Sequence, residues 1–263
     1  MARLLPICSS SKGNSVFIGD TSRGILVDAG CSFKALKDGL ALGDISFDAV
    51  KLIVVTHEHT DHIKALLQIT KHTDIPVYAS AGTMKEMLRC GYIQDNGNLH
   101  VCSELSSAPT DIEINWFHTP HDSVESVGYT FSWGEHKIAC CTDLGHVTEE
   151  VRRNLSGSDT VYIEANYEPS LLKGNVKYPV FLKERIASDR GHLSNNDSAD
   201  FCTELVKSGA RNIILGHLSQ ENNTPSDAFK AVSQRLLSNG IKSGIDYTLS
   251  VAPVRNDGKY IIV

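Results

Sequence analysis

The sequence of 263 residues lacks the features that mark several classes of protein. No apolar run approaches the roughly 18 residues that a membrane-spanning helix needs, and stretches such as Leu52–Val55 are typical of buried strands. The opening MARLLPICSS has a polar turn where a secretory signal has its apolar core. Seven cysteines, an odd number without a C-x-x-C pair, disfavour a disulfide framework and a thiolate zinc site. We therefore expect a cytoplasmic protein.

Positive charge is also scarce, since 25 Lys and Arg face 31 Asp and Glu and give a net charge of −6. This balance disfavours a broad basic surface that wraps nucleic acid, although it permits a local patch. The 41% hydrophobic and 21% charged residues are those of an ordinary globular protein. No Pro/Gly/Ser-rich linker divides the chain, so we expect a single domain over residues 1–263.

Short apolar strands alternate with amphipathic helices, a pattern that predicts a layered α/β domain. Strands are predicted at Ser15–Ile18, Ile25–Val27, Leu52–Val55, Val77–Ala79, Ile112–Trp116, Gly128–Ser132, Lys137–Cys141, Thr160–Glu164 and Asn212–Leu215. Helices are predicted at His62–His72, Thr83–Cys90, Thr148–Asn154, Asn196–Lys207 and Pro225–Asn239. A weak internal repeat accompanies them: a strand ends in Asp-x-Gly at residues 28–30 and again at 143–145, and a later buried strand delivers a histidine each time.

The strongest chemical signal is HEHTDH at residues 57–62, directly after a predicted strand. Residues two apart in an extended segment point the same way, so His57 and His59 can bind one ion. The chain then turns into a helix, from which Asp61 and His62 can reach a second ion. Imidazole and carboxylate ligands without cysteine suit zinc, manganese or iron. The alternative, a solvated polar loop, is disfavoured by the position after a buried strand.

This motif resembles the His-x-His-x-Asp-His signature of the metallo-β-lactamase superfamily. His121, Asp143 at a strand end, and His217 after another strand fit the remaining positions of that signature. The resemblance implies a four-layer αβ/βα sandwich of two facing mixed sheets with helices outside. His118 competes with His121, and the Ser-x-Gly-Tyr context at residues 126–129 favours His121.

The resemblance also implies two divalent ions per chain that share a nucleophilic hydroxide. The first ion would be held by His57, His59 and His121. The second would be held by Asp61, His62 and His217, with Asp143 between the ions. Asp28 would support the metal loop without binding.

Further stretches resemble the YycJ/WalJ (VicX) branch of that superfamily over essentially the whole chain. They are SSSKGNS at residues 9–15, VDAG at 27–30, PHDS at 120–123 and HLSQENN at 217–223. The branch is related to ribonuclease Z and PhnP-type phosphodiesterases, and its members are regarded as nucleases or exonucleases. A phosphodiesterase or nuclease, DNA exonuclease-like, is therefore the expected function.

Glu164 and His192 resemble a pair in ribonuclease Z-like enzymes in which histidine donates a proton to the leaving oxygen and glutamate orients it. With Asp61 they are the candidate catalytic residues, and the alternative makes His192 an ordinary helix-start residue. Residues 173–190 carry five positive and two negative side chains. They could follow a phosphate backbone or be a solvated connection. The candidate substrate contacts there are Lys177, Lys183, Arg185 and Arg190.

Other functions are compatible with the same metal-binding residues. The substrate could instead be a cyclic nucleotide-type phosphodiester, a thioester, a lactone or a β-lactam. Di-iron redox proteins of the superfamily usually have glutamate where His59 stands, and no flavodoxin-like domain follows here. A metal-retaining but inactive regulator is disfavoured by the complete set of ligands.

Overall fold

The protein's computed structural model describes residues 3–263 and forms two compact units. The first unit contains the described residues up to 115, together with 123–127 and 253–263. The second contains residues 116–122 and 128–252. Each is built on a mixed sheet with helices, so the α/β class predicted from the sequence is confirmed. The single domain over residues 1–263 stays a prediction.

The first sheet has seven strands in the order β13-β1-β2-β3-β4-β5-β6 among the described residues. Its strands are β1 Arg3–Ser10, β2 Gly13–Gly19, β3 Gly24–Val27, β4 Val50–Val54, β5 Val77–Ala79, β6 Leu99–Val101 and β13 Ile261–Ile262. β1, β2 and β3 pair antiparallel, whereas β3, β4, β5 and β6 pair parallel. The helices are α1 Phe33–Leu42, α2 Thr60–Ile63, α3 Leu66–His72 and α4 Ala81–Arg89. Phe17, Leu26, Ile53 and Leu66 lie in a fully buried core.

The second sheet has six strands in the order β12-β11-β10-β9-β8-β7. They are β7 Glu113–His118, β8 Val127–Trp133, β9 His136–Cys141, β10 Thr160–Glu164, β11 Asn212–Gly216 and β12 Thr248–Val251. β9 to β12 run parallel, and β8 is antiparallel to β9. The helices are α5 Glu149–Leu155, α6 Pro169–Gly174, α7 Val180–Ile186, α8 Asn195–Lys207 and α9 Pro225–Ser238. Ile163, Leu215, Val232 and Leu236 lie in its core.

Parallel neighbours place the polar residues at one edge of each sheet. In the first unit, β3 ends just before Asp28 and its neighbour β4 ends three residues before His57. In the second, β9 ends two residues before Asp143, β10 ends at Glu164, and β11 ends one residue before His217. Because the carboxyl ends of parallel strands lie side by side, each sheet collects its own polar cluster there.

One predicted helix, His62–His72, is two helices, α2 and α3, with a break at Lys64–Ala65. The amide of Ala65 donates to the carbonyl of Ala29 at 2.8 Å, outside the helix. The bond ties the metal-motif segment to the loop after β3, which periodicity in the sequence does not reveal. None of the helices within residues 3–263 has the length and apolar character needed to cross a membrane.

Two adjacent leucines of α9 provide a test of the second core. Leu236 is fully buried, whereas Leu237 is 65% exposed. We expect Leu236→Ala to lower the free energy of unfolding by about 2–5 kcal/mol, because it loses apolar burial and leaves a cavity. Leu237→Ala, the matched control on the same helix, should change it by less than about 0.5 kcal/mol. Urea denaturation of both variants measures the difference, and equal losses would contradict the assignment of the core face.

Candidate metal centre

Asp28 organises the polar cluster of the first unit. Its Oδ1 accepts a hydrogen bond from the amide of Thr56 at 2.8 Å. Its Oδ2 accepts from the Thr56 hydroxyl at 2.9 Å and from Nδ1 of His62 at 2.7 Å. Since the proton of the His62 ring is fixed on Nδ1, Nε2 carries the lone pair that a metal ion requires.

His57 and His59 lie beside His62. The Thr56 hydroxyl gives its proton to Asp28, so its oxygen accepts the Nδ1 proton of His57 at 3.0 Å. The ring centroid of His57 lies 4.5 Å from that of His59 and 4.2 Å from that of His62. Three imidazoles and the carboxylate of Asp61 are thereby collected on residues 57–62, where a loop leads into α2.

Two glycines allow backbone segments to approach each other beside these clusters. A Cβ on Gly30 would lie 1.6 Å from the carbonyl oxygen of Asp61. A Cβ on Gly145 would lie 2.2 Å from the carbonyl oxygen of Asp189. Each glycine is the last residue of one Asp-x-Gly copy, so both copies of the repeat allow a neighbouring backbone carbonyl to pack closely against the glycine.

Glu164 organises the cluster of the second unit. Its Oε1 accepts from Nδ1 of His192 at 2.7 Å and from Nδ1 of His217 at 2.8 Å. Its Oε2 accepts from the amides of Leu144 at 2.9 Å and Leu193 at 3.1 Å. Burial opposes ionisation of this carboxyl group, but the interactions with the two histidines more than offset burial and lower the pKa of Glu164 to about 2.

His121 is held by a different partner. Its Nδ1 lies 3.0 Å from the carbonyl oxygen of Gly191, which accepts the ring proton, and Nε2 lies 3.5 Å from Oδ1 of Asp143. Burial lowers the pKa of His121, which favours the neutral imidazole that metal binding requires. Arg190 donates to the carbonyl of His121 at 2.9 Å, and Arg185 pairs with Asp122. These cations hold the segment that carries the histidine.

The backbone is strained at the same places. Among the described residues, the non-glycine positions with positive φ are Asp28, Asp143, His217 and Asp44, at 60°, 57°, 55° and 58°. The first three are cluster residues that directly follow or nearly follow strands. Such conformations cost on the order of 1 kcal/mol or more each and persist only where the surroundings enforce them.

The donor chemistry of each cluster fits a divalent metal ion. Within the second unit, ligand atoms of Asp143, Glu164, His192 and His217 all lie within 4.8 Å of one another. The first unit offers imidazoles and a carboxylate on residues 57–62. Zinc, manganese and iron sites use imidazole nitrogens and carboxylate oxygens as ligands. In such sites the second ring nitrogen of the histidine commonly donates its proton to a carboxylate, as it does here.

The other residues singled out in the sequence lie as follows. The His118 side chain is 52% exposed and its Nδ1 lies 3.7 Å from Oε1 of Glu150. Lys177 pairs with Glu221 at 2.8 Å, and Nζ of Lys183 donates to the carbonyl of Lys173 at 2.8 Å.

Buried asparagines support the loop of His217, a role that the sequence reasoning missed. Asn166 donates to the carbonyl of His217 at 2.8 Å. Asn223 in turn donates to the carbonyl of Asn166 at 3.1 Å and exchanges hydrogen bonds with Asn195. This network fixes the loop of His217 against the loop after β10. The only available signal was the polar run at residues 220–223 before the N-cap of α9.

Comparisons with known proteins agree with this geometry. Residues 23–218 match the family described as beta-lactamase superfamily domain. The chain is 33% identical over 239 residues to exodeoxyribonuclease YycJ of Bacillus anthracis, with 90% of each chain covered. It is 31% identical over 245 residues to exodeoxyribonuclease WalJ of Streptococcus pneumoniae, which covers 92% of this chain and 90% of the relative. Zn²⁺-bound PqqB of Methylobacterium extorquens has a similar fold, with a TM-score of 0.72, 14% identity and all of both chains covered.

The two mixed sheets and their histidine–carboxylate clusters define a metal-dependent hydrolase that uses divalent ions. The chain belongs to the beta-lactamase superfamily, with the metallo-β-lactamase fold. Its curated relatives are of the YycJ/WalJ type, so the resemblance drawn from the motifs is confirmed.

The orienting role of Asp28 can be tested with an asparagine. Asp28→Asn tolerates the positive φ but loses the charge that holds the Nδ1 proton of His62. We expect metal affinity to fall about 10- to 100-fold, because ligand orientation is lost. Asp44→Asn is the matched control, since Asp44 has a φ of 58° and is exposed. Competition with a chromophoric zinc chelator measures both variants, and wild-type affinity in Asp28→Asn would contradict this role.

Proposed function

We propose that this protein is a dinuclear metal-dependent phosphodiesterase that removes nucleotides from the ends of DNA. The observation that carries the proposal is the hydrogen bond of 2.7 Å between Nδ1 of His192 and buried Glu164. A sugar oxygen leaves a phosphodiester poorly unless it receives a proton, and a carboxylate-oriented histidine can provide one near neutral pH. A thiolate leaving group needs no such acid. The exodeoxyribonuclease relatives support the same substrate.

The proposed ligands form two sets. One ion is assigned to His57, His59 and His121. The other is assigned to Asp61, His62 and His217, with Asp143 shared by both. The proposal requires that each chain binds two ions of zinc, manganese or iron.

The chain's own residues have distinct roles in this mechanism. When bound, divalent ions supply Lewis acidity that lowers the pKa of water and attracts the nonbridging phosphate oxygens. Asp61 acts as a ligand close to the reacting phosphate. His192, whose side chain is 20% exposed beside fully buried Glu164, holds the proton that passes to the leaving oxygen. Glu164 keeps that imidazole in one tautomer and one orientation.

Four cations are proposed to contact the phosphate backbone: Lys177, Lys183, Arg185 and Arg190. The ion pairs of Lys177 with Glu221 and of Arg185 with Asp122 are exposed. Exposed ion pairs contribute only about 0–1 kcal/mol, so a phosphate group can replace the carboxylate. We place the reaction in the cytoplasm, which the absence of disulfides among the described cysteines supports.

The acid role of His192 predicts a dependence on the leaving group. His192→Ala should lower turnover of DNA about 10²- to 10⁴-fold, because the leaving sugar oxygen loses its proton donor. Hydrolysis of bis-p-nitrophenyl phosphate should fall much less, because p-nitrophenolate leaves without a proton. Metal content should stay that of the wild type, whereas His121→Ala should lose metal.

His118→Ala is the control, since this histidine is 52% exposed beside Glu150. Steady-state kinetics on both substrates, with metal analysis of each variant, provide the comparison. Equal losses on DNA and on the small diester in His192→Ala would contradict an acid role and indicate a ligand or structural role instead.

The polymer substrate itself is tested with end-labelled DNA and RNA. We expect stepwise release of nucleotides from DNA with added manganese or zinc, and loss of release with a chelator. Hydrolysis of bis-p-nitrophenyl phosphate without degradation of either polymer would contradict the exonuclease and indicate a small phosphodiester substrate.

A further inference from the structure

The segment that joins Glu164 to His192 forms an exposed arm, residues 169–186, which contains α6 and α7. Helix α7 has no buried residue, and Leu172 is the single buried residue of the arm. Val176 is 98% exposed, Val180 71% and Phe181 70%. These three exposed apolar side chains lie within six residues of the sequence, and exposed apolar surface of this kind is typical of interaction sites.

The charge of the arm indicates what kind of partner fits. It carries Lys173, Lys177, Lys183 and Arg185 against the single carboxylate of Glu184, in a chain of net charge −6. The arm therefore combines exposed apolar and aromatic side chains with cations. A complementary partner is a polyanion that also has flat apolar groups. Single-stranded nucleic acid has both, because its phosphates are charged and its bases are unpaired.

Both ends of the arm are held by backbone hydrogen bonds. Glu168, just before the arm, lies four residues after Glu164, and its amide donates to the carbonyl of Asn222 at 2.8 Å. At its end, the amide of His192 donates to the carbonyl of Ile186 at 2.9 Å. A strand lying along the arm is therefore led to the pair Glu164 and His192.

We propose that the arm binds single-stranded DNA ahead of the cleaved end, with Phe181 stacked on an unpaired base and Lys173, Lys177 and Lys183 near phosphates. This inference rests on the proposed exonuclease function and adds the form of its substrate. The ring of Phe181 can stack on an unpaired base, whereas bases in a duplex are already stacked on their neighbours.

Self-association through the arm is disfavoured by its charge. In a twofold-symmetric dimer the same patch meets itself, so the lysines of one copy would face those of the other. Opposed like charges oppose such an interface, while a polyanion neutralises them.

The test measures binding to a 16-nucleotide single strand with phosphorothioate linkages, labelled with a fluorophore, by anisotropy with metal-loaded protein. Phe181→Ala should weaken binding about tenfold, which is the size of one lost base–aromatic stack. Phe181→Tyr keeps the ring and should restore binding. Lys173→Gln should reduce the slope of log K against log salt by about 0.7, as expected for one phosphate contact. Ile245→Ala, which is 76% exposed and lies outside the arm, is the control.

Wild-type affinity in Phe181→Ala, or equal weakening in Ile245→Ala, would overturn the proposal. A shift of Phe181→Ala from dimer to monomer by mass photometry would overturn it in favour of self-association. Failure of the exonuclease proposal appears separately, as absence of degradation of unmodified DNA. Binding that depends on Phe181 without degradation would retain the arm as a DNA-binding surface and reject the nuclease.

Discussion

The hydrogen bond between a buried carboxylate and the Nδ1 proton of an imidazole is the interaction on which the rest of this structure depends. Asp28 makes it to His62, and Glu164 makes it to both His192 and His217. A carboxylate in a protein interior is costly unless it is fully hydrogen-bonded, and both of these also accept backbone amides. The same bonds that stabilise the buried charge turn Nε2 of each ring away from it. Stability and chemistry are therefore coupled at these two acids.

The fold supplies the positions that make those bonds possible. Parallel strands end side by side, so Glu164 at the end of β10 lies between the residues that follow β9 and β11. The chain then leaves the sheet with positive φ at Asp143 and His217, as it does at Asp28 in the first unit. The local cost of this backbone is offset by the carboxylate bonds and by the asparagine network behind His217.

Strands and helix ends were predicted correctly from the sequence where hydrophobic pattern and capping residues determine them locally. Buried runs such as Thr160–Glu164 have the predicted bounds, and the caps of α9 mark its start, because hydrophobic pattern and capping are local. Sequence reasoning failed where tertiary bonds decide. β1 was not among the predicted strands. It contains Pro6, and the register shift between Pro6 and Cys8 accommodates that residue in the sheet. Helix α7 was missed because it buries no apolar face. Glu164 was predicted to orient His192, but its bond to His217 needs the pairing of two strands, β10 and β11, that are distant in sequence.

Anomalous X-ray scattering from crystals of the metal-loaded protein would locate the bound ions. We expect two peaks per chain with nitrogen ligands at about 2.0–2.1 Å. The first peak should lie beside His57, His59 and His121, and the second beside Asp61, His62 and His217. A single peak, or a peak bound by His118 or by cysteine, would contradict the account.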